Sequence, residues 1–166
     1  MDKINKVMDW LMRQDREALL FLSVHFKNPP ETKGVLCWRC RSVFIALFRQ
    51  LLGRHWIKIY RRHFTLIGFQ EFGMQHRRHI HFLLWLNTGM DPSIIISTLK
   101  CLSSRIRMDI WSTESEKFAG AKQYGDDIMI VPVYSDAVFD YIVKEMRHNS
   151  REILNNSIVL DVDIIH

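Results

Sequence analysis

In this 166-residue chain, Glu71 and the pair His79-Ile80-His81 are residue types that can hold a divalent cation. The pair opens an apolar block, Phe82-Leu83-Leu84-Trp85-Leu86, that reads as a buried strand. Strand side chains alternate between faces, so His79 and His81 share one face and Ile80 turns into the core. Two imidazoles on one face can chelate one metal ion. Glu71 ends the preceding apolar run from Phe64, and the short polar stretch after it, with Gly73, suits a hairpin. Pairing the two strands brings Glu71 opposite the histidines as a third ligand. A His-x-His pair alone is more often just a polar strand end, so a second constellation has to carry weight.

That second constellation is Tyr141-Ile142-Val143-Lys144. Residues three apart share a helix face. A phenol has a reference pKa of about 10 and is a weak nucleophile until a neighbouring ammonium or a metal-bound phosphate favours the phenolate. Ordinary packing of Tyr141 among Val138 and Ile142, with a snorkelling Lys144, accounts for the same spacing. The remaining chemical candidate is Cys37-Trp38-Arg39-Cys40, with Cys101 the only other thiol. A structural zinc site wants four ligands, so Cys37 and Cys40 read as core-side residues of a helix.

The elements that must position these residues follow from periodicity. Ile4, Val7, Met8 and Leu11 predict a short amphipathic helix over 3–14. Leu20 to Phe26 predicts a strand, stopped by Asn28-Pro29-Pro30. Leu36, Cys40, Val43, Phe44, Leu47 and Leu51 predict a helix from about Gly34 to Leu52, with Gly53 as its stop. His55 to His63 is basic and β-prone, with extension of the second strand as one option; that strand runs from about Phe64 to Glu71 and the third from His79 to Leu86. Asp91-Pro92 opens a helix to about Met108. Trp111 to Asp127 reads as a long loop. Ile128 to Val133 is a strand, placed at a sheet edge by Pro132, and Ser135-Asp136 caps a helix to about His148. The tail, Ser157 to Ile165, is an extra strand or docks elsewhere. The order strand, helix, strand, strand, helix, strand, helix predicts an α+β fold: a ferredoxin-like or RRM-like antiparallel sheet of split β-α-β units. Helices would cover one face and the site would lie on the other, all within one domain over 1–166.

The net charge is +5, and 48% of residues are hydrophobic, enough for a real core. No apolar run reaches about 18 residues, so no transmembrane helix is expected. Met1 to Trp10 carries acids and no small-residue cleavage pattern, which points away from a secretory signal and toward the cytoplasm. From Thr32 to Gln70 no Asp or Glu occurs, while Arg39, Arg41, Arg49, Arg54, Lys58, Arg61 and Arg62 do, with Arg77 and Arg78 shortly after. Such a stretch predicts a phosphate-facing surface, with Arg54, Lys58, Arg61, Arg62, Arg77 and Arg78 as the candidates for nucleic-acid binding.

In combination, these motifs resemble the HUH endonucleases, in particular the rolling-circle replication initiators, or Rep proteins. The resemblance spans about residues 19–148. It rests on the apolar strand Phe21-Leu22-Ser23-Val24-His25-Phe26, on His79-Ile80-His81 and on Tyr141-Ile142-Val143-Lys144, in that order. The Glu71 spacing resembles the acidic third ligand of viral Rep nucleases. Two departures stand out. His25-Phe26-Lys27 occupies the place of a threonine-containing polar turn, and there is neither a helicase domain nor a second tyrosine beside Tyr141. The resemblance implies transesterification of single-stranded DNA at a replication origin, with a separate host or element helicase and no membrane. Tyr141 would attack a phosphate polarised by Mg²⁺ or Mn²⁺ on Glu71, His79 and His81, leaving a 5′-phosphotyrosine and a free 3′-OH. Lys144 would steady the phenolate, the phosphate or the leaving oxygen. A single-tyrosine transposase of the same superfamily is the nearest alternative, and Lys144, in place of a glutamine, favours Rep. From a different class comes a non-catalytic RRM-like nucleic-acid binder, with Phe21, Phe26, Phe82 and Trp85 as stacking aromatics.

Overall fold

Along the chain the elements are α1 (Lys3–Met12), β1 (Leu19–His25), α2 (Lys33–Leu52), α3 (Trp56–His63), β2 (Phe64–Phe72), β3 (Arg78–Leu86) and α4 (Pro92–Ile106). They continue with β4 (Asp109–Trp111), α5 (Glu114–Ala119), β5 (Asp127–Pro132), α6 (Ala137–Arg147), β6 (Ile158–Leu160) and α7 (Asp161–Ile165). The computed structural model describes residues 3–14, 18–72, 78–119, 124–147 and 158–166.

The sheet order is β4-β5-β1-β3-β2-β6. Its four middle strands, β5-β1-β3-β2, are antiparallel throughout and have the order of two interlocked split β-α-β units. The α+β antiparallel-sheet reading therefore holds, with β1 and β3 central. Alternation sorts the side chains. Leu20, Leu22 and Val24 of β1, Ile80, Phe82 and Leu84 of β3, and Ile128 and Ile130 of β5 face α2 and α4 in the larger core. Phe44 of α2 meets Phe82 edge-on at 4.8 Å, and Phe48 stacks on Phe64 at 4.8 Å. The helices start at their expected caps. Thr32 caps α2 by accepting from the Val35 N–H, and Asp91 caps α4 by accepting from the Ser93 N–H ahead of Pro92 at the first turn.

The opposite face carries helices as well. Leu11 of α1 and Phe139 and Ile142 of α6 form a second apolar cluster with Leu19, Phe21, Leu83 and Trp85. This places the α6 tyrosine over the sheet instead of beside it.

Four expectations are corrected or sharpened. His55 to His63 does not extend the second strand; residues 56–63 are α3. Trp56 and Tyr60, four apart, both bury against Phe48. A strand would have put Lys58 and Arg62 on that same face, among the aromatics. The segment read as a loop begins on the last residue of β4 and holds α5, fixed by Glu116, which accepts from the Ser112 N–H and from Lys100 Nζ. The strand containing Pro132 is not at the edge, because β4 pairs with its first half, Asp127 to Met129. Pro132 lies beyond that pairing, so its missing N–H costs no ladder bond. The tail does both things considered for it: β6 pairs with Ile67 to Phe69 of β2, and α7 packs on α2.

No helix among the described residues is long and apolar enough to cross a membrane.

Candidate metal centre

The β2–β3 hairpin sets the register that matters: Glu71 pairs with His79, and Phe69 with His81. Ile80 is fully buried on the α2 side, so the two imidazoles and the carboxylate rise together on the α6 side. Their ligand atoms lie within 4.8 Å of one another. Glu71 Oε2 accepts from His79 Nε2 at 2.9 Å and from His81 Nε2 at 2.6 Å. Without a metal, both rings must therefore carry their proton on Nε2. A divalent cation would take the place of those two protons, which is the competition expected of a metal site. One carboxylate oxygen and two imidazole nitrogens suit such a cation, and the donor set fits it.

Electrostatics agree with the geometry. Burial by itself would raise the Glu71 pKa, but the hydrogen bonds from His79 and His81 and their positive charge outweigh it and hold the carboxyl well below the usual range. His81 is pushed down by burial, with the nearby His79 and His25 adding to the effect and Glu71 opposing it. Glu71 is thus a carboxylate and His81 favours its neutral form, the protonation states a metal ligand needs. His81 Nδ1 is buried without a hydrogen-bond partner. Besides its Nε2 bond to Glu71, the ring is held by packing, stacked on Phe21 at 5.2 Å and edge-on to Tyr141 at 5.3 Å.

Tyr141 comes from α6, whose Phe139 and Ile142 are buried and so turn Tyr141 toward the cluster. Its hydroxyl donates to Glu71 Oε2 at 3.5 Å, and the residue is 46% exposed. The other tyrosines lie elsewhere. Tyr60 is buried at α3 and bonded to Asp161, Tyr134 is 89% exposed, and Tyr124 lies just before β5. The backbone of Lys144 continues α6; its side chain, that of Arg78, and all of Arg77 lie outside the described residues.

Two residues of the site were missed in the sequence. His25, at the end of β1, stacks on His79 with ring centroids 5.3 Å apart. Behind it, the buried Asp127 of β5 places Oδ1 3.3 Å from His25 Nδ1, and Ser23 Oγ lies 3.4 Å from Nε2. Asp127, His25, His79 and Glu71 thus form a polar row across four neighbouring strands. The signal was present in Ser23-Val24-His25, which has the same alternation as the His79 pair.

The structure sets four of the basic candidates apart from the cluster. Arg54, Lys58, Arg61 and Arg62 belong to α3 and the turn before it, on the α2 side of the sheet and at the Phe64 end of β2. Glu71 is seven residues further along that strand, roughly 23 Å away. Arg61 is moreover bonded to Asp161 at 2.9 Å. The stacking aromatics of the RRM-like alternative are buried: Phe21, Phe26, Phe82 and Trp85 are all under 9% exposed. No family model matches the chain, and neither does any curated protein or solved structure.

Proposed function

We propose that this chain is a metal-dependent endonuclease of the HUH type that cuts and rejoins single-stranded DNA through a covalent tyrosine adduct. The observation that supports this reading is the hydroxyl of Tyr141 at 3.5 Å from the carboxylate oxygen that bridges His79 and His81. A phenol over a two-histidine, one-carboxylate cluster suits phosphoryl transfer to tyrosine. Among the described residues no other tyrosine touches the cluster.

Glu71, His79 and His81 would hold the cation, Mg²⁺ or Mn²⁺, with the two imidazoles weighting the choice toward Mn²⁺. When bound, it supplies the positive charge that polarises a scissile phosphate. Tyr141 Oη attacks the phosphorus, the bond to the 3′ oxygen breaks, the phenol proton is lost and the 3′ oxygen gains one. No water is consumed, so the adduct keeps the bond energy and the 3′-OH can reverse the step. Half-exposure of Tyr141 leaves a path for a flexible single strand, and the stacking of His25 on His79 steadies one ligand from the side. Lys144, on the next turn of α6, would steady the phenolate, the phosphate or the leaving oxygen. In this reading the substrate is an origin strand in the cytoplasm, opened by a separate helicase of the host or of a mobile element.

The test is covalent capture. Wild-type protein, single-stranded origin-type oligonucleotides and Mn²⁺ should give a denaturation-resistant adduct that maps to Tyr141. Tyr141→Phe should keep metal binding and lose the adduct. An adduct that survives EDTA, or maps to Tyr134, would overturn the assignment.

A further inference from the structure

On the face away from the metal cluster, α2 and the end of α4 enclose a cavity of about 660 Å³. Arg39, Arg41 and Arg49 line it from α2, and Arg105 and Arg107 from the end of α4. Among the described residues none of these five pairs with a carboxylate, in contrast to Arg61. Asp126 is the one acid on the wall, and its Oδ1 already accepts the Lys27 N–H at 2.8 Å. A merely solvated helix face would spread such charges or pair them; here they converge on one concavity.

Two further features point to what the cavity takes. Trp38 stands at the rim with 72% of its surface exposed, and Phe26 lies in the wall under the Arg39 guanidinium. Exposed tryptophan and arginine forks along one groove are the parts of a stacking and phosphate-tracking surface. From Trp38 to Arg49 the helix advances roughly 16 Å, room for a few nucleotides. Arg107 also caps α4 in the left-handed region, at φ 56, where glycine or asparagine is the usual choice. The cost of that conformation is accepted at a position that delivers a guanidinium to the groove.

We infer that this arginine groove binds the backbone of single-stranded DNA and leads it to the metal cluster. The inference rests on the nuclease reading above for its choice of DNA. The route is short. Phe26 lines the groove, while its neighbour His25 turns to the other face and stacks on His79. A strand that leaves the groove over the end of β1 therefore arrives at His79 and Glu71. The α3 arginines, at the far end of the sheet, contribute little.

The experiment is fluorescence anisotropy in EDTA with a labelled oligothymidylate of about 20 nucleotides. Charge reversal of the exposed Arg41, Arg49 and Arg105 to Glu should weaken binding tenfold or more and flatten the salt dependence by about 0.7 for each phosphate no longer neutralised. Trp38→Ala should weaken it by about tenfold with the salt slope unchanged. Circular dichroism checks that the variants fold, and a triple Arg→Gln variant repeats the test without added acids. Binding and salt slope that match wild type in both triple variants would overturn the proposal. So would a poly-glutamate peptide that binds as tightly as the DNA, since the groove would then be an acidic-protein site. Groove-dependent binding without any Mn²⁺-dependent adduct would remove the nuclease and leave the groove standing; adduct formation with binding untouched by the groove variants would do the reverse.

Discussion

Replacing Glu71 with glutamine keeps the shape of the side chain and removes the charge that two imidazoles share. In the wild type, one oxygen accepts from His79 at 2.9 Å and from His81 at 2.6 Å, on a side chain only 12% exposed. Charge-assisted bonds contribute about 1.5–3 kcal/mol each and neutral ones about 0.5–1.5, so the two together lose about 2 kcal/mol. Relief from burying a carboxylate returns part of this, and a net loss of about 1–2 kcal/mol remains. For a chain of this size that lowers the melting temperature by about 2–8 °C. The second half of the prediction is the metal. At 100 times its dissociation constant, Mn²⁺ should stabilise the wild type by about 2.7 kcal/mol, a rise of about 5–11 °C, and should do far less for Glu71→Gln. Thermal unfolding with EDTA and with a Mn²⁺ titration reads both effects. A Glu71→Gln variant that melts at or above wild type in EDTA, and still shows the full Mn²⁺ shift, would refute the reasoning on both counts.

Gly68→Ala should cost about 1–3 kcal/mol in urea unfolding, because an added Cβ would lie 2.6 Å from Phe82 Cε1 and 2.9 Å from Ile80 Cδ1. Tyr60→Phe should cost about 1–2 kcal/mol at pH 7, by losing the bond from Tyr60 Oη to Asp161 Oδ2. Burial first, and that bond second, raise the Tyr60 pKa, so the contribution is full below about pH 10 and fades as pH rises through the folded value. The gap between Tyr60→Phe and wild type should therefore close at high pH. In the folded protein a maleimide should label Cys101 alone, with Cys37 and Cys40 reacting only in denaturant; both are buried, and burial pushes the Cys40 thiol far up.

The hairpin that carries the cluster was legible because its information is local. Two residues on one strand and one on the next fix each other through alternation and a short turn, and Glu71 does pair with His79. The helix carrying Tyr141 was legible for the same reason. What escaped were relations between distant parts of the chain. His25 and Asp127 meet because β5 lies beside β1, and although the predicted fold implies that neighbourhood, no local pattern gives the register that brings the two side chains together. The basic run divides between two places, which a charge count, having no direction, does not show. Arg39, Arg41 and Arg49 turn into a groove, while Arg61 is tied to Asp161. α3 was ambiguous because Trp, Ile and Tyr suit a strand as readily as a helix, and the choice fell to the Phe48 ring beneath.

Both outer strands of the sheet, β4 and β6, are only three residues long. A long bare strand is a template on which another copy can add itself, and growth from such templates leads to fibres and precipitates. Here the nine-residue β2 is denied that role by β6 pairing with Ile67, Gly68 and Phe69. Trimming the chain to about residues 19–148 would take β6 away. The shortened protein would keep Glu71, His79 and His81 and gain a sticky flank, so β6 matters for keeping copies apart as well as for holding the fold.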